Sequence, residues 1–260
     1  MATIHPTALV DPEARLADSV TVGPFAVIHA DVRIGAQTSI GSHCLIDNGA
    51  RIGERVRIHH GAVVATPPQD LKYAGEPTEF FIGDDTEIRE YCTLNRGTTH
   101  SRMSSVGRNC LLMAYVHVAH DCVVGNNVIL ANSVNMGGHT IIGDFAIIGG
   151  ITGIHQFSHI GAHCMIAAGI KIAKDVPPYA LIGGSPGMFE GINRIGLRRR
   201  GFSPETLDLI TQSYKAIYHS GMNVSQAVEY IRANIELVPE VVSILDFIAS
   251  STRGIVRKVG

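Results

Sequence analysis

Isoleucine, valine, leucine or methionine recurs at every sixth position of this chain, in one phase, from Ile4 to Ile172. The phase lapses at Asp70, Glu76 and His100 and resumes unshifted each time. A period of six matches neither the 3.6 of a helix nor the 2.0 of a lone strand. It matches a chain that turns a corner every six residues and stacks on itself as a β-solenoid.

Four residues after each aliphatic position stands a small or β-branched residue, as at Ala8, Ala26, Cys44, Ala62, Thr86 and Val176. Two side chains per hexad therefore point inward, and three hexads close one triangular coil of 18 residues. Residues i and i+18 lie above one another at about the 4.8 Å strand spacing. Glycine often follows the aliphatic residue, as at Gly23, Gly35 and Gly107; there its access to φ > 0 is expected to turn the corner.

Cys44, Cys92, Cys110, Cys122 and Cys164 all fall on the small inward register. They read as buried core thiols, with neither a disulfide framework nor a metal-type C-x-x-C spacing. A reducing cytoplasmic setting is expected. The first residues carry no basic-then-apolar leader, and no stretch approaches the ~18 apolar residues of a membrane span. The net charge of −2 and the absence of tryptophan offer no basic field for nucleic acid.

The lapses define excursions from the prism, at residues 65–81 and near 99–105. Positions 64, 82, 100, 118, 136, 154 and 172 differ by multiples of 18, so both excursions are expected to leave and rejoin equivalent faces on one flank. Insertions in repeat arrays tend to collect on the binding side.

After Pro177-Pro178 the hexads end. Ser203-Pro204-Glu205 is an N-cap followed by proline at N1, opening an apolar-periodic run that Gly221 stops. Further helices are expected near Ser225–Asn234 and Pro239–Ser250. The division predicted is a β-solenoid over 1–189 and an α-helical C-terminal domain over 190–260. Arg198-Arg199-Arg200 precedes the helices as a local basic cluster, either a solvated charge run or an anion grip.

Folding the 18-residue period onto the histidines gives the chemistry an address. His120, Gly138 and Gln156 share a column, as do Asp121 and His139, with His155 in the third layer and His117 just around the corner, below Asn135. His5, His29, His43, His59, His60, His163 and His219 show no such stacking and read as surface residues. A histidine beside a carboxylate can take a proton from a hydroxyl while the carboxylate sets its tautomer. Gly138 has no side chain to screen its amide, whose N–H could face a developing oxyanion. No cysteine or serine stands as a nucleophile, which favours direct attack by an acceptor hydroxyl.

At these residues a resemblance becomes close. His117-Val118-Ala119-His120-Asp121, the loop from Gln69 to Thr78 (QDLKYAGEPT), Ile154-His155-Gln156-Phe157, Lys174 to Tyr179 (KDVPPY) and Arg199-Arg200-Gly201-Phe202-Ser203 resemble the UDP-N-acetylglucosamine O-acyltransferases that open lipid A biosynthesis. The likeness spans essentially the whole chain. It implies an all-β left-handed parallel β-helix with a small α-helical C-terminal domain, the hand coming from the resemblance. It further implies a homotrimer with sites in the clefts between prisms, and an (R)-3-hydroxyacyl donor on acyl carrier protein.

In that family pattern His120 would be the base on the sugar 3-hydroxyl of UDP-N-acetylglucosamine, Asp121 its orienting group and the Gly138 amide the oxyanion donor. Gln69, Asp70, Lys72, His117, His139, His155 and Gln156 would line the substrate groove. Ala168 would limit the acyl chain, Asn193 and Arg200 would hold the nucleotide, and Arg199 would face the acidic carrier. Neither metal nor free cofactor is implied.

Ile195 stands where the family often has an acidic residue, and Asn95 where it commonly has histidine. Three other functions share the fold. One is acyl transfer to the 3-amino analogue of the sugar nucleotide. Another is a different hexapeptide transferase, acetyl-CoA-dependent or N-acylating. The third is a γ-carbonic-anhydrase-type zinc lyase using His117, His120 and His139. A non-enzymatic scaffold would explain the hexads but not the polar column.

Overall fold

A computed structural model describes residues 1–184 and 186–258. Short parallel strands, most of them two residues long, form three sheets of eleven, nine and eight strands. Each coil visits the first face (Thr21–Val22), the second (Val27–Ile28) and the third (Arg33–Ile34), and the fold is a left-handed parallel β-helix. Registers such as His117 with Asn135 and Val118 with Met136 show the 18-residue coil directly.

The two inward registers make the core. Ile28, Ile46, Leu94, Leu112, Leu130 and Ile148 are buried, as are Ala26, Ala62, Val116 and Val134. All five cysteines are free and buried among them, and burial pushes the Cys92, Cys122 and Cys164 thiols up to about 12.

The glycines that directly follow the aliphatic residue do not turn the corners. Positive φ falls two residues later, on non-glycine residues such as Gln37 (59°), Asp121 (56°) and His139 (60°), while Gly23, Gly35 and Gly107 are absent from that region. Their role is steric, because the next coil passes too close: a Cβ on Gly35 would lie 2.6 Å from Gly53 C, and one on Gly107 2.5 Å from Gly125 O.

The excursions also differ from expectation. Val64 on the second face pairs with Leu94, thirty residues on, and Leu94 with Val118, twenty-four on. Ile82 lies on the third face, pairing with Ile52 and Val106. The excursions thus insert twelve and six residues at one corner, between the second and third faces, and together equal a full coil. Hexad phase survives while the face advances. Strands Val63–Thr66, Glu79–Ile82, Thr93–Asn95 and Met103–Val106 narrow the excursions to 67–78 and 96–102.

Above Ile172 the strand Ala180–Gly183 adds to the first face and Met188–Ile192 returns antiparallel. Helices α1 (Arg194–Arg199), α2 (Pro204–His219), α3 (Val224–Asn234) and α4 (Pro239–Ser250) follow. Ser203 caps α2 through its hydroxyl with Pro204 at N1, and Asn223 with Gln226 forms a capping box on α3. Tyr214 of α2 is buried and donates to Pro178 O, tying the helices to the prism end. No helix among the described residues is long and apolar enough to cross a membrane.

Candidate active site

The turn carrying His120 and Asp121 joins strands His117–Val118 and Val123–Val124, at the corner where both excursions leave. Asp121 is buried, with a 0 % exposed side chain, and His120 reaches 14 % exposure. His120 Nδ1 lies 2.8 Å from Asp121 Oδ2. Burial pushes the Asp121 pKa up, but hydrogen bonds from Ser101, His120 and Thr98 outweigh it and hold the carboxyl well below the usual range. With an ionised acceptor at Nδ1, the imidazole keeps its proton there and presents Nε2 as the free base.

Gly138 lies one coil on, against the other edge of that ring. A Cβ there would sit 2.5 Å from His120 Cε1 and 2.6 Å from Nε2, so glycine is required for the imidazole to occupy its place. Its neighbours Gly137 and His139 donate to Ile154 O and His120 O. His139 stacks flat on Phe157 at 4.3 Å and stands edge-on to His120 at 5.0 Å and to His100 at 4.7 Å. Burial lowers its pKa, against the pull of Asp121.

A groove of about 810 Å³ brings together Gln69, His117, His120, Gly138, His155 and Gln156. It crosses the second face toward Ile151 and Gly169 at the opposite corner. Its floor is the outward row Asn135, Gly153 and Lys171, in register above His117. Nothing lies within 4 Å of a Cβ built on Gly153, so the missing side chain leaves the floor open. From Asn135, two more steps of 18 reach Gly153 and Lys171, so the period alone makes these two legible. A second groove, about 960 Å³, lies among Phe189, Tyr214, Lys215, His219 and Tyr230 and holds none of the predicted residues.

Other predicted residues fall elsewhere. Asp70 turns its carboxylate onto Lys72 N at 2.9 Å, and Lys72 is exposed on the first excursion. Ala168 is exposed beside Gly169 at the groove's far end. Asn193, Arg199 and Arg200 gather at a different corner, between the third and first faces. Asn193 caps α1 through Gly196 N at 3.2 Å and donates to His163 O at 2.9 Å. Arg200 lies over the Phe145 ring at 5.3 Å, its Nη1 buried without a partner among the described residues, and burial lowers its pKa. Arg199 is exposed.

Two expectations about histidines need correction. His43 and His60 belong to a ladder of rings, Phe25, His43, His60, Tyr91 and Tyr115, with centroids 5.0 to 5.4 Å apart. His163 is stacked between Phe145 (4.8 Å) and Tyr179 (5.7 Å) and is not a free surface residue. The residues that depart from the family pattern are also accounted for. Asn95 is buried, and its amide donates to Thr66 Oγ1 and Pro67 O at 3.0 Å, closing the base of the first excursion. Ile195 is 68 % exposed.

A family model described as UDP-N-acetylglucosamine O-acyltransferase, domain 2, matches residues 175–256, and one described as bacterial transferase hexapeptide matches 103–138. The acyl-[acyl-carrier-protein]–UDP-N-acetylglucosamine O-acyltransferase of Chlorobaculum parvum is 56 % identical, covering 98 % of this chain and 97 % of the relative. The chain belongs to the UDP-N-acetylglucosamine O-acyltransferase family. Solved structures of this family superpose throughout. That from Bacteroides fragilis 9343 has a TM-score of 0.96 at 45 % identity, covering 97 % of this chain and 99 % of its own. LpxA from Acinetobacter baumannii has 0.95 at 43 %, covering 98 % and 99 %.

Among the described residues of one chain, the three histidines named for the zinc-lyase alternative are not the set that converges. The atoms that close within 4.8 Å belong to His120, Asp121 and His139, whereas His117 Nδ1 is engaged with Thr93 Oγ1 at 2.8 Å. Both Asp121 oxygens already accept several hydrogen bonds from protein groups.

Proposed function

We infer that this chain transfers an (R)-3-hydroxyacyl group from acyl carrier protein to the 3-hydroxyl of UDP-N-acetylglucosamine, the opening reaction of lipid A biosynthesis. The observation that carries the chemistry is His120, held at Nδ1 by a buried carboxylate with its Nε2 edge against Gly138. Nε2 takes the hydroxyl proton as the oxygen attacks the thioester carbonyl. The carbonyl oxygen, now negative, meets the Gly138 N–H. Collapse breaks the carbon–sulfur bond, and the imidazolium returns its proton to the departing pantetheine thiolate. Asp121 stabilises the imidazolium between these steps. The donor arrives on the carrier's phosphopantetheine, and the groups present supply the rest, with no added metal or cofactor.

The site is completed by a neighbouring copy. The base and the Asn193–Arg200 cluster occupy different corners of one prism and become one cleft only when two prisms meet side by side. Exposed apolar residues support such contacts: Val123 and Ile141 point outward on the third face, and Phe25, Tyr91, Tyr115 and Ile151 line the corner between the first and second faces. The assembly proposed is a homotrimer. Buried thiols and a carrier-bound donor fit a cytoplasmic setting. Gln69, Asp70, Lys72, His139, His155 and Gln156 then face the sugar and acyl groups, with Arg199 toward the carrier.

The test is a matrix assay. Purified protein is given UDP-N-acetylglucosamine or its 3-amino analogue, with carrier-bound or CoA-bound hydroxyacyl chains. Turnover confined to the 3-hydroxyl acceptor and the carrier-bound donor is expected; preference for CoA, or for the amine, overturns the assignment. His120→Ala should fold and trimerise yet lose at least ~10²-fold in kcat.

A further inference from the structure

The second excursion, residues 96–102, has no assigned purpose in the reaction above. Its polar groups converge on Asp121. Oδ1 accepts from Thr98 N at 3.0 Å, from Ser101 N at 3.2 Å and from the Ser101 hydroxyl; Oδ2 accepts from the Thr98 hydroxyl at 2.7 Å and from His120 Nδ1 at 2.8 Å. Every donor except the histidine belongs to the excursion. A plain hexad corner would bring no hydroxyl to this point.

The loop itself is fixed. Arg102 N donates to Thr98 O at 2.8 Å, and a Cβ on Gly97 would lie 2.3 Å from Met103 N, so the chain crosses itself tightly there. Thr98 is buried, whereas Ser101 is at the loop surface.

We propose that Thr98 and Ser101 are positioning residues for the His120–Asp121 pair. Their four donors fix both carboxylate oxygens, leaving Oδ2 one further direction in which to accept, and that direction is taken by Nδ1–H of His120. The carboxylate cannot swing away, the imidazole cannot reverse its tautomer, and Nε2 is kept as the base. The donors also share the carboxylate's charge, which limits how strongly it holds the imidazolium. Removing them makes Asp121 a stronger base, so the imidazolium keeps its proton to higher pH. The other titratable groups facing this pair are His139, edge-on to His120, and His117, with His100 and Asp70 beyond His139.

The proposal rests on the acyl-transfer reading for its kinetic consequence, but not for its structural one. Thr98→Val and Ser101→Ala, singly and together, are compared with the conservative Thr98→Ser in the intact protein. Each nonconservative change is expected to lower kcat about tenfold, near the value of one charge-assisted hydrogen bond. KM should stay unchanged, and the acid limb of the pH–kcat profile should move to higher pH. Thr98→Ser restores both. Ring-nitrogen NMR of His120 should show the single Nδ1–H tautomer giving way to a mixture in the double variant, or in Ser101→Ala should the double variant fail to fold. Wild-type kcat and pH profile together with an unchanged tautomer would overturn the proposal. If no donor and acceptor pair gives turnover with the wild-type protein, the acyl-transfer reading fails, and the tautomer measurement still decides the role of these hydroxyls.

Discussion

Gly138 stands so close to His120 that a single methyl group on it would lie 2.5 Å from the imidazole Cε1. The missing side chain therefore leaves room for the imidazole and leaves the Gly138 N–H without a side chain of its own to screen it.

Gly138→Ala tests this relationship. The added methyl has to displace the ring, because backbone on the other side is fixed by the coil register. Displacing a general base removes most of what it contributes, ~10² to 10⁴ in rate. The expected outcome is a loss of kcat comparable to His120→Ala, with the His120–Asp121 hydrogen bond disturbed in ring-nitrogen NMR. Retention of wild-type turnover would show that neither the ring position nor the amide matters.

Arg199 and Arg200 are adjacent but differently placed, and their replacement should separate. Arg200 lies over Phe145 with a buried, unpartnered nitrogen, a guanidinium held by packing and free of any carboxylate among the described residues. Arg200→Ala should raise KM for the sugar nucleotide. Arg199 is exposed, so its replacement should mainly weaken use of the carrier-bound donor and reduce the salt dependence of kcat/KM. Steady-state kinetics at two ionic strengths check both; wild-type values for both variants at low salt would reduce the cluster to solvated surface.

His163 supplies a pH prediction. Burial first, and then the nearby Arg200, pull its pKa to about 4 from the ordinary 6.5. In the unfolded chain it takes its proton near 6.5, while the folded chain refuses it down to about 4. Stability is therefore fully present above that upper value and declines as pH falls through the window. At ~1.36 kcal/mol per pH unit the full loss is at most about 3.5 kcal/mol. His163→Phe keeps a ring in the Phe145–Tyr179 stack and removes the titration. Thermal melts from pH 7.5 to 4.5 should show a smaller decline in Tm for the variant than for the parent; His117 and His139, lowered by burial, and carboxylates such as Glu87, held low by Arg57, contribute to the decline that remains. Equal declines would exclude His163 as a source.

Those histidines show what a one-dimensional pattern can and cannot reveal. The inward registers, the fold and the column His120, Gly138, Gln156 are legible because a strict period converts sequence number into height and face. The period is blind to insertions that respect it. Twelve and six residues preserve the hexad phase while advancing the face, so Ile82 lands one face beyond Val64 and the ladder through His60 and Tyr91 is displaced from the expected column. The steric role of the corner glycines is hidden for a different reason. Periodicity reports where a glycine stands, whereas the approach of the next coil to Gly35 depends on the spacing between layers. The cradle of Thr98 and Ser101 lies inside an excursion, where no period applies.

The last prediction concerns donor chain length. Ala168 is exposed at the corner opposite the base, beside Gly169, which lines the far end of the groove whose floor is opened by Gly153. An acyl tail running from the thioester near His120 along this groove reaches that end last, so the side chain at 168 is placed to limit it. Each methylene left in water or forced against a wall costs ~0.8 kcal/mol, enough to shift preference several-fold per carbon. Ala168→Gly should move the preferred hydroxyacyl chain longer and Ala168→Met should move it shorter, with kcat on the best chain retained in each. Gly153→Val provides the contrast, since closing the floor between base and ruler should depress use of every long chain alike. Competition assays with carrier-bound chains of graded length read all three. An unchanged profile in both Ala168 variants, with activity intact, would place the limit elsewhere along the cleft.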